Sequence, residues 1–297
     1  MSQVLTLVAA PGGLVQPQVI RVRDALQALG ADAGAPDWLA SEEAADLPFE
    51  GLAADQAIAI AGQALAGAAV DVLAVPAAGR RKRLLLADMD STIVTSETLD
   101  EIAAFAGLKE RIAEITRRSM NGELDFRTAL IERVGMLAGL PVSALERTWE
   151  TTELTGGAKA LVATMRANGA HCALVSGGFT FFTGRVAALV GFHEHHSNTL
   201  EIADGRLTGK VGEPILDRDA KLATLKRLAA EYAVPLEAAL TVGDGANDLA
   251  MIQAAGLGVA FRAKPMVAAA ARAKLDHADL RGLLFAQGYR AAEILEG

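Results

Sequence analysis

The sequence predicts an α/β protein in which a doubly wound parallel sheet carries an inserted helical cap and follows a small N-terminal α+β module. Four short runs are apolar, as parallel strands buried on both faces should be, and they lie at residues 84–88, 172–176, 240–244 and 257–260. Segments with helical spacing separate the last three runs. About 80 residues with helical periodicity lie between the first run and the second, which is far more than an ordinary crossover needs. That long stretch predicts the cap.

The length and a change of pattern predict the domain organisation. A chain of 297 residues is about twice the size of a usual single domain, so two domains are expected, with one large domain as the alternative. The basic linker Gly79–Arg83 is interpreted as a solvated boundary. The predicted division is a module at residues 1–79 and a second domain at residues 80–297, with the cap at about residues 95–157. Residues 198–211 alternate around an Asp-Gly pair and predict a β-hairpin.

The sequence pattern of the N-terminal module predicts a ferredoxin-like β-α-β-β-α-β order of elements. The patterns are, in chain order, a strand at 4–8, a helix at 18–29, weaker strands near 32–39 and 46–49, a helix at 53–65 and a strand at 70–75. Gly30 ends the first helix, and Pro76 ends the last strand.

Composition excludes several classes of function. Hydrophobic residues make up 52% of the chain and aromatic residues only 4%, which predicts a globular core of Ala, Val, Leu and Ile. A net charge of −8 argues against a nucleic-acid partner, because such partners require a basic surface. The most apolar stretch, Gln56–Val70, is too short to span a bilayer. With a single cysteine, Cys172, and no signal-peptide pattern, the sequence predicts a cytoplasmic protein without a membrane partner.

Polar residues stand at the ends of three of the four predicted strands, where folding alone does not require them. They lie at Asp88–Thr92, Ser176–Gly178 and Asp244–Asp248. Ligands of an open parallel sheet bind just beyond the carboxyl ends of its strands, so these segments are expected to converge on one cleft. Four aspartates in one cleft repel one another unless a divalent cation neutralises them. Hard oxygen ligands without Cys or His indicate Mg²⁺ rather than Zn²⁺.

Two further features extend this chemical pattern. Ser176, with the backbone N–H groups that follow it in a Gly-rich turn, predicts an anion site, and Lys221 at the start of a helix supplies a positive charge. Each feature alone is common, because D-x-D occurs in turns and helix caps and an isolated lysine is usually solvated. Their occurrence together and in order, each at a strand end or a helix start, favours phosphoryl transfer.

These residues resemble the four motifs of the haloacid dehalogenase (HAD) superfamily and, within it, those of the phosphoserine phosphatases. The matching residues are Asp88-Met89-Asp90-Ser91-Thr92, Ser176-Gly177, Lys221 and Gly243-Asp244-Gly245-Ala246-Asn247-Asp248. In the cap, the residues that stand where phosphoserine phosphatases place their substrate-recognition residues are Glu97, Met120, Phe126 and Arg133. The resemblance runs from about Leu84 to Tyr289 and implies a HAD-like, Rossmann-like fold. The N-terminal module resembles the degenerate ACT-like extension of many bacterial members.

The resemblance implies an enzyme, a Mg²⁺-dependent phosphatase that hydrolyses O-phospho-L-serine to L-serine and phosphate in the last step of L-serine biosynthesis. Asp88 would attack phosphorus to form an aspartyl-phosphate, and Asp90 would act as general acid and then general base. The cation would bind Asp88, the carbonyl group of Asp90 and Asp244, with Asp248 in support.

The same resemblance assigns substrate contacts. The phosphoryl oxygens would contact Ser176, Gly177, Lys221 and Asn247. The ammonium and carboxylate groups of serine would contact Glu97 and Arg133, with Met120 and Phe126 in supporting positions.

Three alternatives remain open. The same chemistry would also serve another small phosphate ester such as phosphohomoserine, or a transferase that passes the phosphoryl group to an alcohol. The third alternative is a non-catalytic serine-sensing protein, although the intact Asp88, Asp90 and Lys221 argue against it. A homodimer is also left open.

Three other features are interpreted as structural. His193, His195 and His196 lie together, but their spacing offers no set of metal ligands on one face, and an exposed polar loop is predicted. Cys172 is predicted to pack inside its strand rather than to act as a nucleophile. Met89 is predicted to point away from its two aspartate neighbours and to pack.

Overall fold

The computed structural model describes residues 2–297, apart from the side chains of Met120 and Arg218. Its N-terminal part is an antiparallel sheet with two helices. The elements are β1 (Gln3–Ala9), α1 (Gln16–Ala28), β2 (Asp32–Ala33), β3 (Asp37–Ala40), β4 (Ala44–Glu50), α2 (Ala54–Leu65) and β5 (Val70–Pro76). The strand order is β2-β4-β1-β5, with β3 also paired to β4, so the weak patterns in the middle of this segment do form strands.

The alternation of side chains along β1 divides this sheet into two apolar faces. Leu5 and Leu7 belong to the cluster that α1 and α2 cover. Val4 and Val8, on the opposite face, belong with Leu73 to the core of the rest of the chain. The N-terminal part and the larger part therefore share one continuous apolar core.

A buried carboxylate also joins the two parts. Asp71, on β5, is only 5% exposed and accepts hydrogen bonds from three successive backbone N–H groups. The donors are Asp276 at 2.7 Å, His277 at 3.0 Å and Ala278 at 2.8 Å. Hydrogen bonds to a charged acceptor are stronger than neutral ones, so the N-terminal part holds this loop firmly.

The linker is packed between the two parts, and its prediction as a solvated boundary is wrong for two residues. Arg80 donates to both carboxylate oxygens of Asp46, at 2.6 and 3.1 Å, and to the carbonyl group of Ala286 at 3.2 Å. Lys82 is buried and donates to the carbonyl group of Glu237 at 2.9 Å. The buried acceptors compensate the desolvation of these cations, which the sequence pattern of the linker alone does not reveal.

The larger part contains a parallel sheet. Its strands are β6 (Leu84–Ala87), β7 (His171–Phe179), β8 (Glu194–Asn198), β11 (Ala239–Gly243), β12 (Leu257–Phe261) and β13 (Ala273–Leu275), in the order β13-β12-β11-β6-β7-β8. The helices that follow or precede them are α7 (Ala158–Ala167), α8 (Thr180–Val190), α9 (Arg218–Glu231), α10 (Leu249–Ala254), α11 (Pro265–Ala270) and α12 (Gly282–Ala286), with single helical turns at Leu236–Ala238 and Ala291–Glu293. All described strand pairs of this sheet are parallel, which confirms the predicted α/β fold.

Helices cover both faces of this sheet. Leu84 and Leu86 pack with Leu225 of α9 and Met251 of α10 on one face. Leu85 belongs to the cluster on the other face, which includes residues of α7, α8 and α12. Burial on both faces explains why these strands are apolar throughout.

A helical insertion lies between β6 and β7. Its helices are α3 (Thr98–Ala104), α4 (Lys109–Met120), α5 (Phe126–Gly135) and α6 (Ser143–Glu150). The predicted hairpin is present as β9 (Leu200–Ala203) and β10 (Arg206–Val211), and it is tied to this insertion because the Gly139 N–H donates to the carbonyl group of Leu207 at 2.8 Å. Within residues 2–297, no helix combines the length and apolarity needed to cross a membrane.

The histidine-rich segment is a strand rather than the predicted exposed loop. Glu194–Asn198 forms β8 at the edge of the parallel sheet, paired with β7. Glu194 bridges His171 at 2.6 Å and His196 at 2.7 Å. An edge strand needs only one partner and tolerates polar side chains, which is why the polar sequence gave no strand pattern.

Replacing Asp71 should weaken the contact between the two parts of the chain. We expect Asp71→Ala to lower the free energy of unfolding by about 2–4 kcal/mol, because three N–H groups lose a charged acceptor. Thermal unfolding followed by circular dichroism measures the change. Asp32→Ala, at an exposed position of β2, is the control and should unfold close to the wild-type temperature. Equal Tm values for Asp71→Ala and the wild type would contradict the role given to this carboxylate.

Candidate active site

The loops after β6 and β11 meet the last residues of β7 at the carboxyl edge of the parallel sheet, beneath the helical insertion. Together with the insertion they line one cavity. Its lining residues are Asp88, Asp90, Glu97, Leu99, Phe126, Leu130, Arg133, Ser176, Gly177, Gly178, Phe179, Asp244 and Asn247. The cavity thus has an acidic floor on the sheet and a partly apolar roof on the insertion.

A buried lysine connects two of the aspartates. Lys221 Nζ lies 2.7 Å from Asp88 Oδ1 and 2.5 Å from Asp248 Oδ1. Burial opposes the charge of Lys221, but the Asp248 and Asp88 carboxylates outweigh burial and raise its pKa. The ammonium group is therefore charged at neutral pH. Lys221 reaches this position from the first turn of α9, which begins at the N-cap residue Asp217.

Asp88 occupies the end of β6. Its Oδ1 atom accepts hydrogen bonds from Lys221 and from the backbone N–H of Met89 at 2.8 Å. Burial, together with the Asp248 carboxylate, raises the pKa of Asp88, and Lys221 opposes this shift. Among the described residues no hydrogen bond reaches Oδ2, so this oxygen is the one available to a ligand in the cavity.

Three carboxylates form a cluster that suits a cation. Oxygen atoms of Asp88, Asp244 and Asp248 lie within 4.8 Å of one another. Among the described residues, Asp244 Oδ2 is buried without a hydrogen bond, and Lys264 Nζ lies 3.4 Å from it. Burial, with the Glu97 and Asp248 carboxylates, raises the pKa of Asp244 to about 8. One buried lysine does not balance this charge, and an orphaned carboxylate oxygen among hard donors fits a divalent cation.

Asp90 lies in a tight turn after β6. The turn includes Ser91 with a positive φ of 55°. Asp90 Oδ1 accepts a hydrogen bond from the Thr98 N–H at 2.8 Å, and Oδ2 accepts one from Ser176 Oγ at 3.2 Å. Burial, with the Glu97 carboxylate, raises the pKa of Asp90 to about 6, so its carboxyl group can hold or release a proton near neutral pH.

The two glycines near the end of β7 are required by close approach. A Cβ atom on Gly177 would overlap the ring of Phe126 from the insertion. A Cβ atom on Gly178 would lie 2.8 Å from Asp90 Oδ2 and 3.0 Å from Ser176 Oγ. Small residues here let the insertion and the Asp90 turn pack directly on the end of β7.

The loop after β11 also needs a glycine where two groups approach closely. A Cβ atom on Gly243 would overlap the carboxylate group of Asp248, so glycine is needed for Asp248 to reach Lys221. Asp248 Oδ2 also accepts a hydrogen bond from the Gly245 N–H at 3.0 Å. Asn247 is buried, and its Oδ1 atom has no hydrogen-bond partner in the part of the chain that the structure describes. The positions of Gly243 and Asp248, at the two ends of this loop, are therefore fixed by contacts within the loop.

The insertion brings a cation and a carboxylate to the roof of the cavity. Arg133 is 3% exposed, and its guanidinium donates to the carbonyl group of Ala129 at 3.1 Å and to Thr116 Oγ1 at 2.9 Å. Glu97 accepts a hydrogen bond from Ser91 Oγ at 2.7 Å. The side chain of Met120 lies outside the described residues. Most of the other predicted site residues line this cavity, namely Asp88, Asp90, Phe126, Ser176, Gly177, Asp244 and Asn247. Lys221 and Asp248 do not line it, but Lys221 contacts both Asp88 and Asp248.

Sequence reasoning missed several residues of the site. Lys264 follows β12 at the same edge of the sheet, and its Nζ lies 3.4 Å from Asp244 Oδ2. Its position three residues after the last residue of β12 is the sequence signal that identifies it. Thr116 and Asp100 lie behind Arg133 and left no pattern in the sequence, because their contacts join different helices.

Comparison with known proteins identifies the family. The haloacid dehalogenase-like hydrolase family model matches residues 85–253, and the chain belongs to this family. A phosphoserine phosphatase of Streptomyces coelicolor is 44% identical over 225 residues, which are 75% of this chain and 55% of the relative, so the chain spans about half the length of that relative.

Solved structures extend the similarity to nearly the whole chain. A HAD family hydrolase from Salmonella enterica serovar Typhi is 28% identical, with a TM-score of 0.82, and covers 96% of this chain and 97% of its own. The structure described as a phospho-aspartyl intermediate analogue of phosphoserine phosphatase is 38% identical, with a TM-score of 0.67, and covers 69% of this chain and 98% of its own.

Adding a methyl group at Gly243 should disrupt the acidic cluster. We expect Gly243→Ala to lower the Tm, because the new Cβ atom displaces the Asp248 carboxylate from Lys221. Differential scanning calorimetry measures the shift. Gly62→Ala is the matched control, because a Cβ atom on this exposed helical glycine has nothing within 4 Å, and it should keep or slightly raise the Tm. A wild-type Tm for Gly243→Ala would show that the loop relaxes without cost.

Proposed function

We propose that this chain is a Mg²⁺-dependent phosphomonoesterase that hydrolyses O-phospho-L-serine to L-serine and phosphate through an aspartyl-phosphate on Asp88. The observation that carries the proposal is one cavity with two chemically different walls. Its floor holds Asp88 beside the buried ammonium group of Lys221, and its roof holds Arg133 and Glu97. A phosphate group would bind at the floor with the help of Lys221 and a cation, and an amino-acid end would bind at the roof. The relatives described as phosphoserine phosphatases support the same substrate.

The acidic cluster supports a magnesium site. Asp88, the carbonyl group of Asp90 and Asp244 would bind the cation. Asp248, whose oxygens are already held by Lys221 and the Gly245 N–H, would support it. When bound, Mg²⁺ would neutralise the cluster and the phosphoryl oxygens and so lower the barrier to attack by an anion. The unpartnered Asp244 Oδ2 atom supports this assignment.

Asp88 has the geometry of a nucleophile. Lys221 and the Met89 N–H hold Oδ1, which leaves Oδ2 to attack phosphorus. In the first step, the bond from Oδ2 to phosphorus would form while the bond from phosphorus to the serine oxygen breaks. Lys221 would lower the repulsion between the Asp88 carboxylate and the incoming phosphate dianion.

Asp90 would move the proton in both steps. In its protonated form it would give a proton to the departing serine oxygen. It would then take a proton from the water molecule that attacks the aspartyl-phosphate, so the carboxyl group returns to its first state. The pKa of about 6, raised by burial and by Glu97, suits a group that must act in both directions.

The remaining residues would bind the two ends of the substrate. Ser176 Oγ, the Gly177 N–H and the Asn247 side chain would donate hydrogen bonds to the phosphoryl oxygens. Arg133 would bind the serine carboxylate, because its planar guanidinium matches two oxygens at once. Glu97 would bind the ammonium group.

The N-terminal part is proposed to be an ACT-like module, with a domain division at residues 1–79 and 80–297 and the cap at about 95–157. Its strand order and two helices on one face of an antiparallel sheet support a ferredoxin-like arrangement. The second face of its sheet is buried against the larger part of the chain, so the N-terminal part contributes directly to the stability of the protein.

A panel of phosphate esters tests the proposed function. Phosphate release is measured for phosphoserine, phosphohomoserine, phosphoethanolamine and nitrophenyl phosphate, with Mg²⁺ and with a chelator. We expect phosphoserine to have the highest kcat/KM and the activity to require Mg²⁺. A preference for another ester would move the assignment to that substrate, and no release from any ester would exclude the phosphatase.

Removing the nucleophile should abolish turnover. We expect Asp88→Asn to reduce kcat by at least about 10⁴-fold, because the amide keeps the size of the side chain but loses the nucleophilic oxygen. Fluorine NMR should detect a beryllium fluoride complex in the wild type and none in the variant. Asp204→Asn, in the exposed hairpin turn, is the control and should remain fully active. Hydrolysis at equal rates by Asp88→Asn and the wild type would contradict the covalent mechanism.

Removing the proposed carboxylate contact should change specificity. We expect Arg133→Ala to lower kcat/KM for phosphoserine by about 30- to 1000-fold, because a buried charge-assisted contact is lost. Phosphoethanolamine, which lacks the carboxylate, should be affected little. Arg127→Ala is the control on the same helix, where the arginine forms an exposed pair with Glu213. Equal losses of kcat/KM for both substrates would show that Arg133 does not bind the substrate carboxylate.

A further inference from the structure

A chain of hydrogen bonds crosses three helices of the insertion behind Arg133. Arg133 Nη1, on α5, donates to Thr116 Oγ1, on α4, at 2.9 Å. Thr116 Oγ1 in turn lies 2.6 Å from Asp100 Oδ1, on α3. The exposed fractions of these residues are 3%, 3% and 8%, so the chain lies inside the protein and is shielded from solvent.

The direction of the chain follows from the single hydrogen of the threonine hydroxyl. Thr116 has two acceptors within reach, Asp100 Oδ1 at 2.6 Å and the carbonyl group of Ile112 at 3.0 Å. The shorter contact leads to a carboxylate, which is the stronger acceptor. The hydroxyl hydrogen therefore points at Asp100, and the oxygen lone pairs accept the hydrogen of Arg133.

Thr116 keeps the charges of Arg133 and Asp100 apart. Among the described side chains, no carboxylate lies within 4.0 Å of the Arg133 guanidinium. A direct bidentate pair with Asp100 would use the donors that a substrate needs. Instead Nε donates to the carbonyl group of Ala129 and Nη1 to Thr116, which leaves Nη2 without a partner in the described part of the chain. Because Arg133 lines the cavity, this edge of the guanidinium is the one offered to a ligand.

We propose that Thr116 and Asp100 are positioning residues for the recognition of a substrate carboxylate. Thr116 fixes the orientation of Arg133 through one hydrogen bond, and Asp100 supplies a compensating negative charge at a distance that leaves the guanidinium donors unused. Neither residue would touch the substrate. The inference rests on the proposed function, because it explains how the insertion would select the serine end of phosphoserine.

Variants of Thr116 test the proposal with two substrates that differ only in the carboxylate, phosphoserine and phosphoethanolamine. Thr116→Val keeps the shape of the side chain and removes the hydroxyl group. We expect its KM for phosphoserine to rise roughly 10- to 100-fold, the cost of one hydrogen bond to a charged group. The kcat should change little, because Arg133 would contact the carboxylate equally in the ground state and the transition state. The KM for phosphoethanolamine should stay near the wild-type value.

Two conservative variants separate positioning from structural support. Thr116→Ser restores the hydroxyl group and should return the KM for phosphoserine to near the wild-type value. Asp100→Asn keeps the oxygen acceptor but removes the charge, and it should raise the KM for phosphoserine without changing that for phosphoethanolamine. Thermal unfolding of each variant shows that the protein compared is folded. If Thr116→Val does not fold, Asp100→Asn and Thr116→Ser carry the test.

The outcomes distinguish this inference from the proposed function. Equal changes for both substrates, or an unchanged KM in Thr116→Val and Asp100→Asn, would overturn the positioning role while leaving a phosphoserine phosphatase intact. If the wild-type protein hydrolyses phosphoethanolamine and phosphoserine with equal kcat/KM, the proposed substrate is overturned, and the positioning role with it.

Discussion

The geometry of the site depends on the ion pairs that the buried ammonium group of Lys221 forms. It lies between Asp88 at the end of β6 and Asp248 at the start of α10, with both contacts at 2.7 Å or less. Charges removed from water are tolerated only when they are paired closely, so the positions of α9, β6 and the loop after β11 are mutually constrained. Lys221 pairs with Asp88 and Asp248, while Asp244 Oδ2 has no hydrogen bond among the described residues, so the cluster is suited to a further cation.

Close packing at small residues links the sheet to the insertion. Phe126 contacts Gly177 directly, and Asp90 lies against Gly178, so the roof of the cavity rests on the end of β7. A packed contact of this kind has little room for adjustment, because protein interiors have few voids. The proposed catalytic groups from the sheet and the proposed recognition groups from the insertion are consequently held in one fixed relation. This relation would allow a single cavity to combine the proposed phosphate chemistry with selection of an amino-acid end.

The N-terminal part shows that a boundary in sequence is not a boundary in packing. Its sheet buries one face under its own helices and the other against the larger part. Asp71 and Arg80 add buried polar contacts across the junction. An alternating strand presents two faces, and the composition of the strand does not say which partner covers each of them.

The sequence by itself determined the class of fold and the chemistry of the floor of the site. Apolar parallel strands and the polar residues at their ends are local patterns, and Asp88, Ser176 and Asp244 could be placed from them. Only the tertiary structure decided which buried charges and hydrogen-bonding groups pair with one another. The polar edge strand β8, the partial burial of Arg80 and the contact of Thr116 with Arg133 all depend on partners distant in sequence. Compensation of a buried charge or hydrogen-bonding group is a property of the space around it, and no local pattern records that space.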